Sequence, residues 1–148
     1  MIPPLPVMQP FDFGNLGRIQ VLKLVPDAKI PERGCNLSTH YHLYSSENIT
    51  LGGNSNAVVS TGITLNCGAG ATCIISNDQE LLMKGVIVPT ITHICDCLHE
   101  LKIAMFNMTS TTVSIKKGDV IASFIIVLCQ NLGRRDVVEI SSHDELVI

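Results

Sequence analysis

Residues 93 to 99 read HICDCLH, which places His93, Cys95, Cys97 and His99 at alternate positions around Asp96. Thiolates and imidazoles are the ligands of zinc, and a carboxylate among them could serve as a general base. On a β-strand, alternate side chains share one face about 6.7 Å apart, so His93 and His99 would stand about 20 Å apart. A tetrahedral zinc needs four ligand atoms within about 2.3 Å of one ion. A straight strand therefore offers one ion two of these residues. A hairpin or a second copy of the chain could pool the rest, and neither is required by the sequence. No metal site is assigned: His93, Cys95, Cys97 and His99 stand as weak candidates, and thiols in a core or an interface explain the pattern as well.

The elements that would carry these residues are strands. Short β-branched runs such as AVVSTGITL (57–65), ATCIIS (71–76) and DVIASFIIVL (119–128) alternate with the turn compositions GGNSN, NCGAG, SNDQ and KKGD. No segment keeps a 3.6-residue period over a dozen positions, and the spacing predicts an all-β sandwich or barrel. Hydrophobic residues form 46% of the chain against 16% charged, and tryptophan is absent, so the core must be aliphatic. The 148 residues suffice for one domain. The expected organisation is a Pro-rich head over 1–17, a β domain over 18–130 and a tail over 131–148.

A net charge of −3 with no dense basic run excludes binding driven by nucleic-acid phosphates. The longest apolar run, 120–129, is too short for a membrane span. The start MIPPLPVMQP does not read as a signal peptide, so a soluble intracellular protein is expected, in the cytoplasm or nucleus. On that basis the 6 cysteines are read as reduced thiols and the sequons at Asn36, Asn48 and Asn107 as unused.

Taken in order, VPDAKIP (25–31), Thr61-Gly62-Ile63, LLMKGVIV (81–88), LKIAMFN (101–107) and Lys117-Gly118-Asp119 with Ile121-Ala122 resemble the trimeric dUTPase family over about Arg18 to Ile140. The resemblance implies a jelly-roll β-sandwich assembled as a homotrimer with sites between subunits. It also implies positions for the chemistry. His42 stands where the first motif has Asp, and Gln79 falls in the stretch Asn77-Asp78-Gln79-Glu80 that replaces the phosphate-binding Pro-Arg-Ser-Gly. Ile94 and Cys97 occupy the places of the water-activating Asp and the sugar-packing Tyr. Val120 and Ser123 replace an Arg and a Gln, and the Gly-rich closing arm is missing.

Losing one general base costs about two to four orders of magnitude in rate, and losing a charge-stabilising donor costs about as much. The resemblance with these replacements implies no catalytic residue, no cofactor and no enzymatic activity. What remains is a scaffold that works by protein–protein contact. Degenerate copies of this family are typical of large DNA viruses, so a viral accessory protein acting on host signalling or immunity is expected. The alternative is an active or nucleotide-binding variant that hydrolyses dUTP to dUMP and pyrophosphate with Asp96 as a shifted base.

The last residues, Leu146, Val147 and Ile148, fit the hydrophobic-x-hydrophobic pattern that PDZ domains accept by strand addition. A hydrophobic end tucked into the sandwich, or into a neighbouring subunit, fits them as well.

Overall fold

A computed structural model describes residues 19–35, 38–68, 71–93, 99–128 and 137–142. Most of the expected head (1–17) and tail (131–148) lies outside the described residues. The strands are β1 (Gln20–Lys23), β2 (Glu32–Arg33), β3 (Tyr41–Tyr44), β4 (Ile49–Leu51), β5 (Asn56–Ser60), β6 (Ile63–Asn66), β7 (Ala71–Asn77), β8 (Val86–Ile87), β9 (Ile91–His93), β10 (Lys102–Asn107), β11 (Val113–Ile115) and β12 (Val120–Leu128). They form a five-stranded sheet in the order β2-β3-β12-β7-β9, a three-stranded sheet β5-β10-β8, and the pairs β1-β6 and β11-β4. The all-β expectation holds. Among the described residues no helix is long and apolar enough to cross a membrane.

Period-two alternation decides which face each strand buries. In β10 the residues Ile103, Met105 and Asn107 point inward while Lys102, Ala104 and Phe106 face out. In β12, Ala122 and Phe124 enter the core and Ile126 packs against it. Seven consecutive positions of β12 pair with β7, from Ala122 opposite Asn77 to Leu128 opposite Ala71. Phe124 is fully buried and stacks on Tyr41, with centroids 5.1 Å apart and planes 13° from parallel.

The turns follow the punctuation of the sequence. AVVSTGITL divides into β5 and β6 at Thr61-Gly62, where Gly62 holds φ at +71° and an added Cβ would meet Val25 and Ala28. Thr61 Oγ1 donates to the Leu101 carbonyl at 2.5 Å, and Glu100 Oε1 accepts from Gly62 N at 3.0 Å. In KKGD, Asp119 Oδ2 accepts from Lys116 N at 2.9 Å while Gly118 N reaches the Ser45 carbonyl at 2.8 Å. Lys117 pairs with Asp27.

Two expectations are corrected, and a third residue gains a structural role. The SNDQ stretch read as a turn leads into α1 (Gln79–Met83), too short to show a helical period, with Asp78 as N-cap accepting from Leu81 N at 3.2 Å. Cys67 and Cys73 are joined by a disulfide, against the reading of all six cysteines as thiols; the ends of β6 and β7 come together there in a way that sequence distance does not reveal. The Asn107 sequon is a structural amide, 1% exposed, and bound on both its oxygen and its nitrogen.

Candidate functional site

β12 lies between β3 and β7, and its register sets three polar side chains in one row: His42 opposite Ser123, and Ser123 opposite Ser76. Glu32 stands opposite His42 one strand further out. Directly opposed residues share a face, so this row lies on the side of the sheet away from Phe124. Ser76 Oγ and Ser123 Oγ are 3.5 Å apart, and Ser123 Oγ also donates to the Asn77 carbonyl at 3.4 Å. Ser123 is 7% exposed.

His42 has its ring against the chain at Gly34, where an added Cβ would stand 3.0 Å from Nε2. Its Nδ1 is buried with no hydrogen-bond partner among the described residues, a state that costs about 1–3 kcal/mol for an ordinary polar group. The ring meets Tyr44 edge-on at 6.4 Å. Burial pushes the Tyr44 phenol above its ordinary value of 10.0, and the nearby Glu32 carboxylate adds to the rise. The Lys29 ammonium sits 4.3 Å over the same ring. The row thus offers hydroxyls and an imidazole as donors and acceptors.

Val120 leads elsewhere. It lines a cleft of about 350 Å³ together with Asp78, Glu80, Lys84, Ser114 and Asp119. That volume suits a small ligand. Its lining sets three carboxylates against one ammonium, and two of the carboxylates are engaged with the backbone N–H groups of Leu81 and Lys116. Gln79 is the exposed first residue of α1.

The structure therefore joins His42 with Ser123 and separates both from Val120. Ile94, Cys95, Cys97 and Asp96 lie outside the described residues, as do Leu146, Val147 and Ile148. His93 sits in β9 opposite Cys73, and its Nε2 donates to the Leu65 carbonyl at 3.3 Å. His99 is exposed. Among the described residues no three His, Cys, Asp or Glu side chains come together to hold a metal ion.

Sequence reasoning missed Ser76 and named Asn77 only as part of a replaced motif. Asn77 Oδ1 accepts from Val88 N at 2.7 Å and Nδ2 donates to the Val86 carbonyl at 3.0 Å, so its amide stands in for a strand partner to β8. The signal available was an amide at the end of a β-branched run, where such side chains satisfy loose backbone groups.

Comparison with known proteins places these positions in a wider set. A family model described as dUTPase matches residues 26–146. The chain is 28% identical over 131 residues to the deoxyuridine 5'-triphosphate nucleotidohydrolase of Mycolicibacterium gilvum, covering 86% of this chain and 83% of that protein. It is 32% identical over 112 residues to the enzyme of the same name from Paramecium bursaria Chlorella virus 1, covering 75% and 79%. In fold it is similar to a mutant dUTPase from phage phi11 of S. aureus, with a TM-score of 0.73, 20% identity, and 84% and 99% of the two chains covered. The two sequence relatives overturn the expectation of no enzymatic activity, since both are named as nucleotidohydrolases. That expectation weighed single positions, whereas the likeness spans the row and the cleft alike.

Proposed function

Because the chain belongs to the dUTPase family, we propose that it hydrolyses deoxyuridine triphosphate to the monophosphate and pyrophosphate. The observation that carries this reading is the continuous family match over 26–146, which takes in β3, α1 and β12 with the cleft between the last two.

The reaction needs an activated water and donors for the charge that develops on phosphate. Lys84 is the cation in the cleft lining, and the Ser76–Ser123–His42 row supplies hydroxyl and imidazole donors. The base in this reading is Asp96, two residues beyond Ile94. The described donor set does not fit a resident metal, so no step is assigned to one. Purified protein given dUTP and Mg²⁺ is expected to release pyrophosphate above a protein-free control, and Asp96→Ala to remove that release. Release at the control rate would sink the reading.

We also propose a homotrimer. It is supported by an exposed apolar row on the β5-β10-β8 sheet, where Ala104 opposes Val58 and Phe106 opposes Ile87. Val58 is 62% exposed in the single chain, and an apolar patch of this kind marks a contact surface. Sedimentation equilibrium is expected to give three times the 16.0 kDa chain mass. A monomer mass at all concentrations would contradict it.

A further inference from the structure

The disulfide joins elements that hydrogen bonding keeps apart. Cys67 follows β6, which among the described residues pairs with β1 alone, whereas Cys73 lies inside β7 of the five-stranded sheet. The bond is a covalent tie between two sheets. A second tie lies beside it: His93, opposite Cys73 on β9, donates across the same seam to the Leu65 carbonyl of β6. Leu101 N donates to the Ile63 carbonyl further along β6 at 2.8 Å. A sulfur bond to β7 and an imidazole contact from its neighbour β9 thus meet β6 at adjoining positions, and β9 is tied to β6 through β7 as well as through His93.

The two sulfurs differ in access. Cys73 is 0% exposed and Cys67 8%. Gly68, next to Cys67, has open space where a side chain would be. An incoming thiolate reaches Cys67 first.

We propose that Cys67–Cys73 is a thiol–disulfide exchange site for a small thiol of the glutathione class, and that its state sets how tightly β9 is held to β6. In the reducing direction a glutathione thiolate attacks Cys67 Sγ, the Cys67–Cys73 bond breaks, and Cys73 leaves as a thiolate that takes a proton. A second glutathione thiolate attacks the mixed disulfide, freeing Cys67 as a thiolate that is protonated and forming oxidised glutathione. Two electrons and two protons enter the protein, and two glutathiones are oxidised. The reverse sequence restores the bridge.

The test uses the full chain equilibrated in glutathione buffers from fully reduced to fully oxidised. The bridge is quantified by alkylation and peptide mass spectrometry, and amide hydrogen exchange is read in parallel. The bridged fraction is expected to follow the glutathione ratio. Amides of Ile63–Asn66 and Ile91–His93 should exchange roughly tenfold faster in the reduced protein, with Lys102–Asn107 unchanged. Cys67→Ser, the milder change, and Cys73→Ala should each show the fast rates at every ratio. Failure of the bridge to form in oxidised glutathione would overturn the proposal. So would equal exchange of β6 and β9 in both states.

Discussion

Asn107→Asp is expected to lower the unfolding free energy by about 3–5 kcal/mol, a large share of the roughly 5–15 kcal/mol that a domain possesses. The native amide is a knot. Nδ2 faces the carbonyls of Leu51 at 3.2 Å, Gly52 at 3.1 Å and Thr111 at 2.8 Å. Oδ1 accepts from Thr109 N at 3.0 Å and from Thr109 Oγ1 at 2.7 Å. Aspartate keeps the acceptor and replaces the donor by a negative oxygen aimed at three carbonyls, at a residue 1% exposed. Breaking such a buried arrangement leaves both a charge and the carbonyls uncompensated. Urea unfolding measures the difference, and a loss below about 1 kcal/mol would show that the knot does not hold the turn. Gly53 belongs to the same arrangement, since a side chain there would run into the Ser110 backbone.

Phe124→Ala is expected to cost about 3–5 kcal/mol, and Phe124→Leu about 1–2 kcal/mol. Phe124 lies fully buried in the central strand, stacked on Tyr41 and opposite Ile75. Among the largest fully buried side chains it is the one aromatic ring. Its removal leaves a cavity that the surrounding Ile and Leu side chains cannot close without leaving their rotamers. The same denaturation experiment decides the matter. Equal losses for the two substitutions would mean that ring volume is not what the core requires.

The β-branched runs and their turn residues made the all-β architecture legible, because period-two burial leaves its mark on composition. β7 and β12 fall where 71–76 and 119–128 suggest. Other features rest on register. His42 and Ser123 are 81 positions apart, and nothing in either neighbourhood says that they will face one another across β3 and β12. Cys67 and Cys73 read as thiols because the start lacks a signal peptide, and nothing in the sequence says that the end of β6 meets β7 of another sheet. The Asn-x-Thr at Asn107 is the pattern of a side chain capping its own turn, a role that its neighbours in sequence do not reveal. The forecast of no activity rested on single motif positions, and relatives named as nucleotidohydrolases speak against it.

The placement of β12 has a consequence for biosynthesis. The strands that flank it, β3 and β7, end at Tyr44 and Asn77, yet their common partner spans Val120–Leu128. A nascent chain therefore exposes two unsatisfied strand edges until Val120–Leu128 has itself emerged from the ribosome. Assembly of the large sheet is obliged to be a late event, slow by its topology and open to chaperones in the meantime.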